Sequence, residues 1–259
     1  MGFRPHGRRG FGFGPGKWIA KMTDRAAIVI ERWAAAFIDK ASGALHCSGD
    51  CAKEAEIPAG RRRRMGPMER LMARCVLGVL REEPAAKIIL CSRYGNVEAL
   101  ESLQRSIAAK EPLSPMTFSL SVHNANAGLL EQIRGDRTGH TALAAGRDTL
   151  TAGLIEAYAG LATAPDRPVA LVFGDWPLPE IYARFKELEC GGTAMAWLMR
   201  PRTPRSANYP SLQPIAVRAE ADLIEGAEVL ARTLIAVLEA GANLAFRGTR
   251  GPAWRLSVG

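Results

Sequence analysis

Residues 140–161 read HTALAAGRDTLTAGLIEAYAGL. Thr141–Ala145 is short and apolar, and Asp148 opens a segment rich in Ala, Gly and Leu that runs to Tyr158. The pattern is a small-residue strand, a sharp turn and a helix. Such a turn presents one side chain at a helix N-terminus, where the helix dipole stabilises an anion. A cysteine there would have a lowered pKa and act as a good nucleophile. The residue on this turn is Arg147. Its guanidinium stays protonated and cannot attack carbon.

Strand and helix signals alternate on both sides of this unit. Upstream, Ala27–Arg32 (AIVIER) and Lys87–Cys91 (KIILC) are strand-like. Pro67–Leu80 has apolar residues at helical spacing, with Pro67 suited to a first turn. Asn96 is placed to cap a helix through about Ala109. Met116–Val122 alternates as a strand does, and His123–Ile133 is helical in spacing. Downstream, Pro168–Phe173, Thr193–Met199 and Trp254–Val258 read as strands. Asp222–Glu239 reads as an amphipathic helix ended by Gly241, and Pro201–Pro214 as a loop. The alternation predicts one α/β domain over residues 22–259, with helices layered on a mostly parallel mixed sheet.

The totals exclude several classes. At 259 residues and 47% hydrophobic, the chain can bury a substantial core. Its apolar runs are interrupted by charge, so no transmembrane segment is expected. Cysteines at 47, 51, 75, 91 and 190 are odd in number and unpatterned, which fits a reducing, cytoplasmic setting rather than a disulfide framework. His46, Cys47 and Cys51 lie close together, but no second ligand pair follows at a workable spacing, so no metal is expected. The net charge is +8, yet Arg4, Arg8, Arg9, Lys17 and Lys21 carry five of the 34 basic residues in a glycine-rich opening segment. Residues 1–21 read as a disordered tail, and Met22 is a candidate natural start. The remaining 29 basic residues face 26 acidic ones, and no nucleic-acid motif accompanies them.

Here a family resemblance becomes specific. SPMTFSLSVHNANAGLLEQIRGD (114–136) resembles the β-ketoacyl synthase segment in which Ser-Pro precedes an apolar strand and then Pro-Asn-x-Ala-Ala-Gly. The match rests on Ser114, Pro115, Asn124, Ala127 and Gly128, and Gly135 falls on a further family glycine. Thr141–Ala145 then aligns with the family strand ending in Thr-Ala-Cys, and the catalytic cysteine falls on Arg147. LVFGDWP (171–177) resembles the family strand that ends in Gly-Gly-Thr-Glu. CSRYGNVEALESL (91–103) and ECGGTAMAWLMR (189–200) resemble its early glycine turn and its Gly-Ala-Gly strand. The resemblance covers about residues 25–200 and implies a thiolase-like fold, in a single half. None of the histidines at 6, 46, 123 and 140 aligns with the two histidines of the family's second half.

A member without nucleophile or second half resembles chain-length factors, in particular the short ketosynthase-like proteins of aryl polyene pathways. The resemblance implies a non-catalytic subunit without a cofactor, paired as a heterodimer with a full-length β-ketoacyl synthase through Thr141–Ala145. It further implies that Met116, Phe118, Leu120 and Val122 form the floor of the partner's acyl tunnel; simple core packing is the plainer reading. Arg61, Arg62, Arg63 and Arg64 form the densest basic run, a solvated surface or a docking face for an acidic acyl carrier protein. The alternative is a thiolase-fold acyltransferase using another nucleophile. His123 and Asn124 read as structural or capping residues, and Cys75 and Cys91 as small buried hydrophobes.

Overall fold

The computed structural model describes residues 27–63, 65–83, 85–135, 137–186, 191–215 and 221–258. The basic opening segment, Arg64 and Cys190 lie outside the described residues. The strands are β1 (Ile28–Ile38), β2 (Leu45–Gly49), β3 (Lys87–Cys91), β4 (His140–Leu143), β5 (Val169–Asp175), β6 (Thr193–Pro201), β7 (Ser211–Ile215), β8 (Asp222–Leu223), β9 (Leu244–Arg247) and β10 (Ala253–Ser257). The longer helices are α1 (Pro67–Val79), α2 (Val97–Ala109), α3 (Pro115–Ser121), α4 (Ala125–Arg134), α5 (Thr149–Thr163) and α6 (Ala227–Glu239).

One sheet runs in the order β4-β3-β5-β6-β1-β7-β10-β9-β8, with β2 added to β1. It is mixed, but its parallel share is smaller than the alternation implied. Among the described residues, β4, β3 and β5, and separately β8 and β9, are the strands that pair in parallel. The other pairings, including β5 with β6 and β1 with β6, are antiparallel. The reason is connectivity: α5 carries the chain back between β4 and β5, whereas among the described residues no long helix separates β5 from β6 or β9 from β10.

Successive residues of β3 and β5 point to opposite faces, and both faces are covered. Ile89, Cys91, Leu171 and Phe173 pack with Leu150 and Leu154 of α5 and Leu234 of α6. Ile88, Leu90, Ala170 and Val172 pack with Met72 and Val76 of α1 and Leu130 of α4. Two-sided burial explains why KIILC and VALVF are continuous apolar runs. Two glycines permit close approaches, one of α5 to the sheet and one of α1 to the segment after β2. A Cβ on Gly153 of α5 would lie 2.2 Å from Cys91 Sγ. One on Gly78 of α1 would lie 1.6 Å from the Asp50 carbonyl oxygen.

Three segments depart from the sequence reading. Met116–Val122 is not a strand: α3 spans Pro115–Ser121. Ser114 accepts from Thr117 N at 3.2 Å, and Pro115 takes the first turn. Ser119 and Ser121 donate to the carbonyls of Pro115 and Phe118, so the polar half of the alternation is satisfied inside the helix. The predicted loop over Pro201–Pro214 ends in β7, whose Ser211 and Leu212 pair with β1 and whose Pro214 sits opposite Trp254 of β10. The helix predicted from Asp222 begins only at Ala227. Asp222 and Leu223 pair with β9, and Gly226, at φ 96°, makes the break.

Candidate functional site

β4 ends at Leu143, and a 3₁₀ turn, Gly146–Asp148, leads into α5. Gly146 takes φ 60°, which turns the chain sharply and sets Arg147 on the outside. Thr149 locks the turn: its hydroxyl donates to the Gly146 carbonyl at 2.7 Å and accepts from Ala145 N at 3.0 Å. Asp148 occupies the N-cap position, but its side chain does not cap α5. Its Oδ1 accepts from Thr249 N at 2.7 Å and ties the turn to the β9–β10 connection. Arg147 is exposed, and its Nη1 lies 3.5 Å from Glu225 Oε2. Both side chains are about half exposed (50% and 49%), so the pair contributes little to stability.

The turn borders a cleft of about 220 Å³ beyond the C-terminal ends of β3, β4 and β5, lined by Arg93, Tyr94, Arg147, Asp175, Trp176 and Glu225 among others. Open α/β sheets bind ligands at this end of their parallel strands. Asp175 closes its floor. Ser92 Oγ donates to Asp175 Oδ1 at 2.7 Å; Arg93 N donates to both carboxylate oxygens at 3.0 and 3.1 Å, and Tyr94 N to Oδ1 at 3.3 Å. Burial pushes the Asp175 carboxyl up to about 6, against the pull of those donors. Asp175 and Ser92 were not singled out from sequence. The available signal was an acid ending a wholly apolar strand, VALVFGD, directly before Trp176 and Pro177.

None of these groups makes a nucleophile. Ser92 is buried, and its hydroxyl serves Asp175 while accepting from Gly95 N at 2.8 Å. His123 is engaged with the Ser92 backbone: its Nε2 lies 2.8 Å from the Ser92 carbonyl oxygen. Cys91 is fully buried, and burial drives its thiol far above the ordinary range. Asn124 sits at the N-cap position of α4 without a side-chain cap bond. Among the described residues, no exposed serine, threonine or cysteine at the turn has a base within reach.

The strand leading to the turn is the sheet's edge. Among the described residues β4 pairs with β3 alone, in the register Ile88↔His140 to Cys91↔Leu143, and all four of its residues are half-buried. α4 packs on β3 and β4, α3 packs on α4, and α2 packs on α3. This flank is poorly covered. α3 buries none of its residues: Met116 is 63% exposed, Phe118 60% and Val122 42%, while Leu120 is half-buried. Ile107 at 61% and Leu113 extend the apolar surface. The arginine run lies elsewhere. Arg61 and Arg63 are exposed, Arg61 donates to Gln132 Oε1 at 2.7 Å, and Arg62 donates to the Glu54 carbonyl at 3.2 Å.

The fold is a layered mixed α/β domain whose strand–turn–helix places Arg147 at the mouth of the cleft. The chain belongs to the β-ketoacyl synthases: the model of the family described as "Beta-ketoacyl synthase, N-terminal domain" matches residues 38–246. No curated protein matches the sequence significantly. Among solved structures, the chain is similar to one in the complex of the ketosynthase ApeO with its chain length factor ApeC from Xenorhabdus doucetiae. That match has TM-score 0.70 and 22% identity, covering 90% of this chain and 100% of that one. A β-ketoacyl synthase from Burkholderia phymatum STM815 matches with TM-score 0.54 and 11% identity, covering 83% and 70%. The ishigamide ketosynthase/chain length factor matches with TM-score 0.50 and 13% identity, covering 73% and 65%. At these identities the likeness is one of fold.

Proposed function

We propose that this chain is a non-catalytic ketosynthase-like subunit, a chain-length factor that pairs with an active β-ketoacyl synthase and shapes its acyl tunnel. The observation that carries the reading is the turn after β4. It has the architecture that presents a nucleophile, and it presents Arg147. A protonated guanidinium can bind an anion or a partner's carboxylate but cannot form an acyl-enzyme.

The free edge of β4 and the exposed apolar face of α3 supply the means of pairing. An unpaired edge strand is a template for another chain, and exposed apolar patches mark interfaces. On docking, Met116, Phe118, Leu120 and Val122 would meet the partner and limit its acyl chain. The exposed Arg61 and Arg63, with Arg62 and Arg64, would steer an acidic acyl carrier protein in polyene- or fatty-acid-like biosynthesis.

The test is reconstitution of condensation with a full-length ketosynthase from the same organism, a carrier protein and malonyl donors. Product should require both subunits, and Phe118→Ala should lengthen it. Unchanged product length in that variant would remove the tunnel-floor role. Acylation of this chain alone by a thioester donor, located by mass spectrometry, would favour an acyltransferase instead.

A further inference from the structure

The cleft at the turn opens outward into a second, larger space. An open groove of about 630 Å³ runs between the first turns of α2 and the 3₁₀ turn Glu180–Phe185. It shares Arg93, Tyr94, Arg147 and Leu178 with the inner cleft. Two hydrogen bonds join its walls. Tyr182 Oη donates to Gln104 Oε1 of α2, and Tyr94 Oη donates to the Phe185 carbonyl at 3.5 Å. The groove is thus held open by this chain's own contacts. Its size falls among small-molecule sites, which run from about 300 to 1,000 Å³.

Its lining combines two chemistries. Among the described residues, Arg93, Arg147 and Arg184 line it and no acid does; Asp175, Glu225 and Glu228 belong to the inner cleft. The remaining surface is mostly apolar or aromatic, from Tyr94, Val97, Leu100, Leu178 and Phe185, and Leu100 and Phe185 are exposed. Aromatic rings position two of the three cations. Arg93 Cζ lies 4.9 Å from the centre of the Tyr94 ring, and Arg184 Cζ 4.7 Å from that of Phe185. Stacking uses the face of a guanidinium, whereas its N–H groups lie in the plane and meet a carboxylate edge-on. Arg147 is paired with Glu225 at 3.5 Å, but both side chains are about half exposed, so exchanging that carboxylate for another costs little.

We propose that this groove binds an alkyl carboxylate without forming a bond to it, a free acid of roughly eight to ten carbons by the size of the site. The carboxylate sits among Arg93, Arg147 and Arg184, and the chain lies over Leu100, Leu178 and Phe185. The two halves of the ligand do different work. The chain takes exposed apolar surface out of water, and the arginines select a charged head over a neutral one. No nucleophile is required, which agrees with the turn presenting Arg147. The site belongs to this chain alone and does not rest on its pairing with a ketosynthase.

Isothermal titration of the full chain with sodium octanoate should show one saturable site, with Kd on the order of 0.1–1 mM for a ligand of this size. Propionate has the charge without the chain, and 1-octanol the chain without the charge. Each should bind the wild type at least ~10-fold more weakly than octanoate. Arg93→Ala/Arg147→Ala should weaken octanoate ~10-fold or more. Arg250→Ala removes an exposed arginine outside the groove and should bind as the wild type does. An absence of saturable octanoate binding would overturn the proposal. So would equal binding of 1-octanol, or a loss in Arg250→Ala as large as in the double variant. Because the chain is titrated alone, a negative result leaves the pairing proposal to its own test.

Discussion

Asp175 and Asn96 show how single side chains hold the β3–α2 connection. Asp175 is bound by three donors from the β3–α2 connection, yet its desolvation outweighs them and its carboxyl titrates near 6 instead of 3.8. A carboxyl raised on folding favours the protonated native state. Its contribution is complete below about pH 4 and is lost as pH rises through 6. Relative to Asp175→Asn, which does not titrate, the wild type should therefore lose about 2 kcal/mol between pH 4 and pH 7. Denaturant unfolding of both proteins across that range measures the difference, and a flat difference would contradict the assignment. Asn96 caps α2 by accepting from Ala99 N at 3.0 Å and donates to the buried Glu69 carboxylate at 2.9 Å. Burial already raises the Glu69 carboxyl. Asn96→Ala removes a cap and orphans a buried acceptor, so unfolding measurements should show a loss of about 2–3 kcal/mol. A surface-like change below 0.5 kcal/mol would be inconsistent with both bonds.

Among the elements, the small residues of α5 set the geometry. Gly153 lets the helix lie against Cys91 of β3. Gly153→Ala should destabilise by about 1–3 kcal/mol, and adding Cys91→Ala, which removes the colliding Sγ, should recover part of that loss. Simple additivity of the two changes would place the contact elsewhere. The same elements explain what was legible beforehand. β3, with two covered faces, is a continuous apolar run, so its limits Lys87–Cys91 coincide with the expectation. α2 announces itself by Asn96 and ends where the spacing placed it. α3 was not legible, because MTFSLSV satisfies a strand period and its helical start depends on a local cap at Ser114. β7 was hidden by Pro214, and β8 by the helical spacing that continues into α6. At the site, the turn around Arg147 could be read from its small residues. The Ser92–Asp175 bond spans 83 residues, so no local pattern records it.

For the whole molecule, the fold is asymmetric in how it is finished. Core covers both faces of the sheet's centre, while the β4 end carries a half-buried edge strand beside helices with exposed Met116, Phe118 and Val122. That asymmetry is what a second chain would remove. Reversal of charge at Arg61 and Arg63 should weaken acyl carrier binding and flatten its salt dependence, measured by titration at two ionic strengths, while leaving pairing intact. The most direct measurement is sedimentation of the purified chain with a full-length β-ketoacyl synthase from the same organism. A 1:1 complex should form with the wild type and fail with Met116→Asp/Phe118→Asp, a pair of surface changes that leaves the fold intact. A monomer that ignores the ketosynthase, or a complex indifferent to that double substitution, would contradict the account.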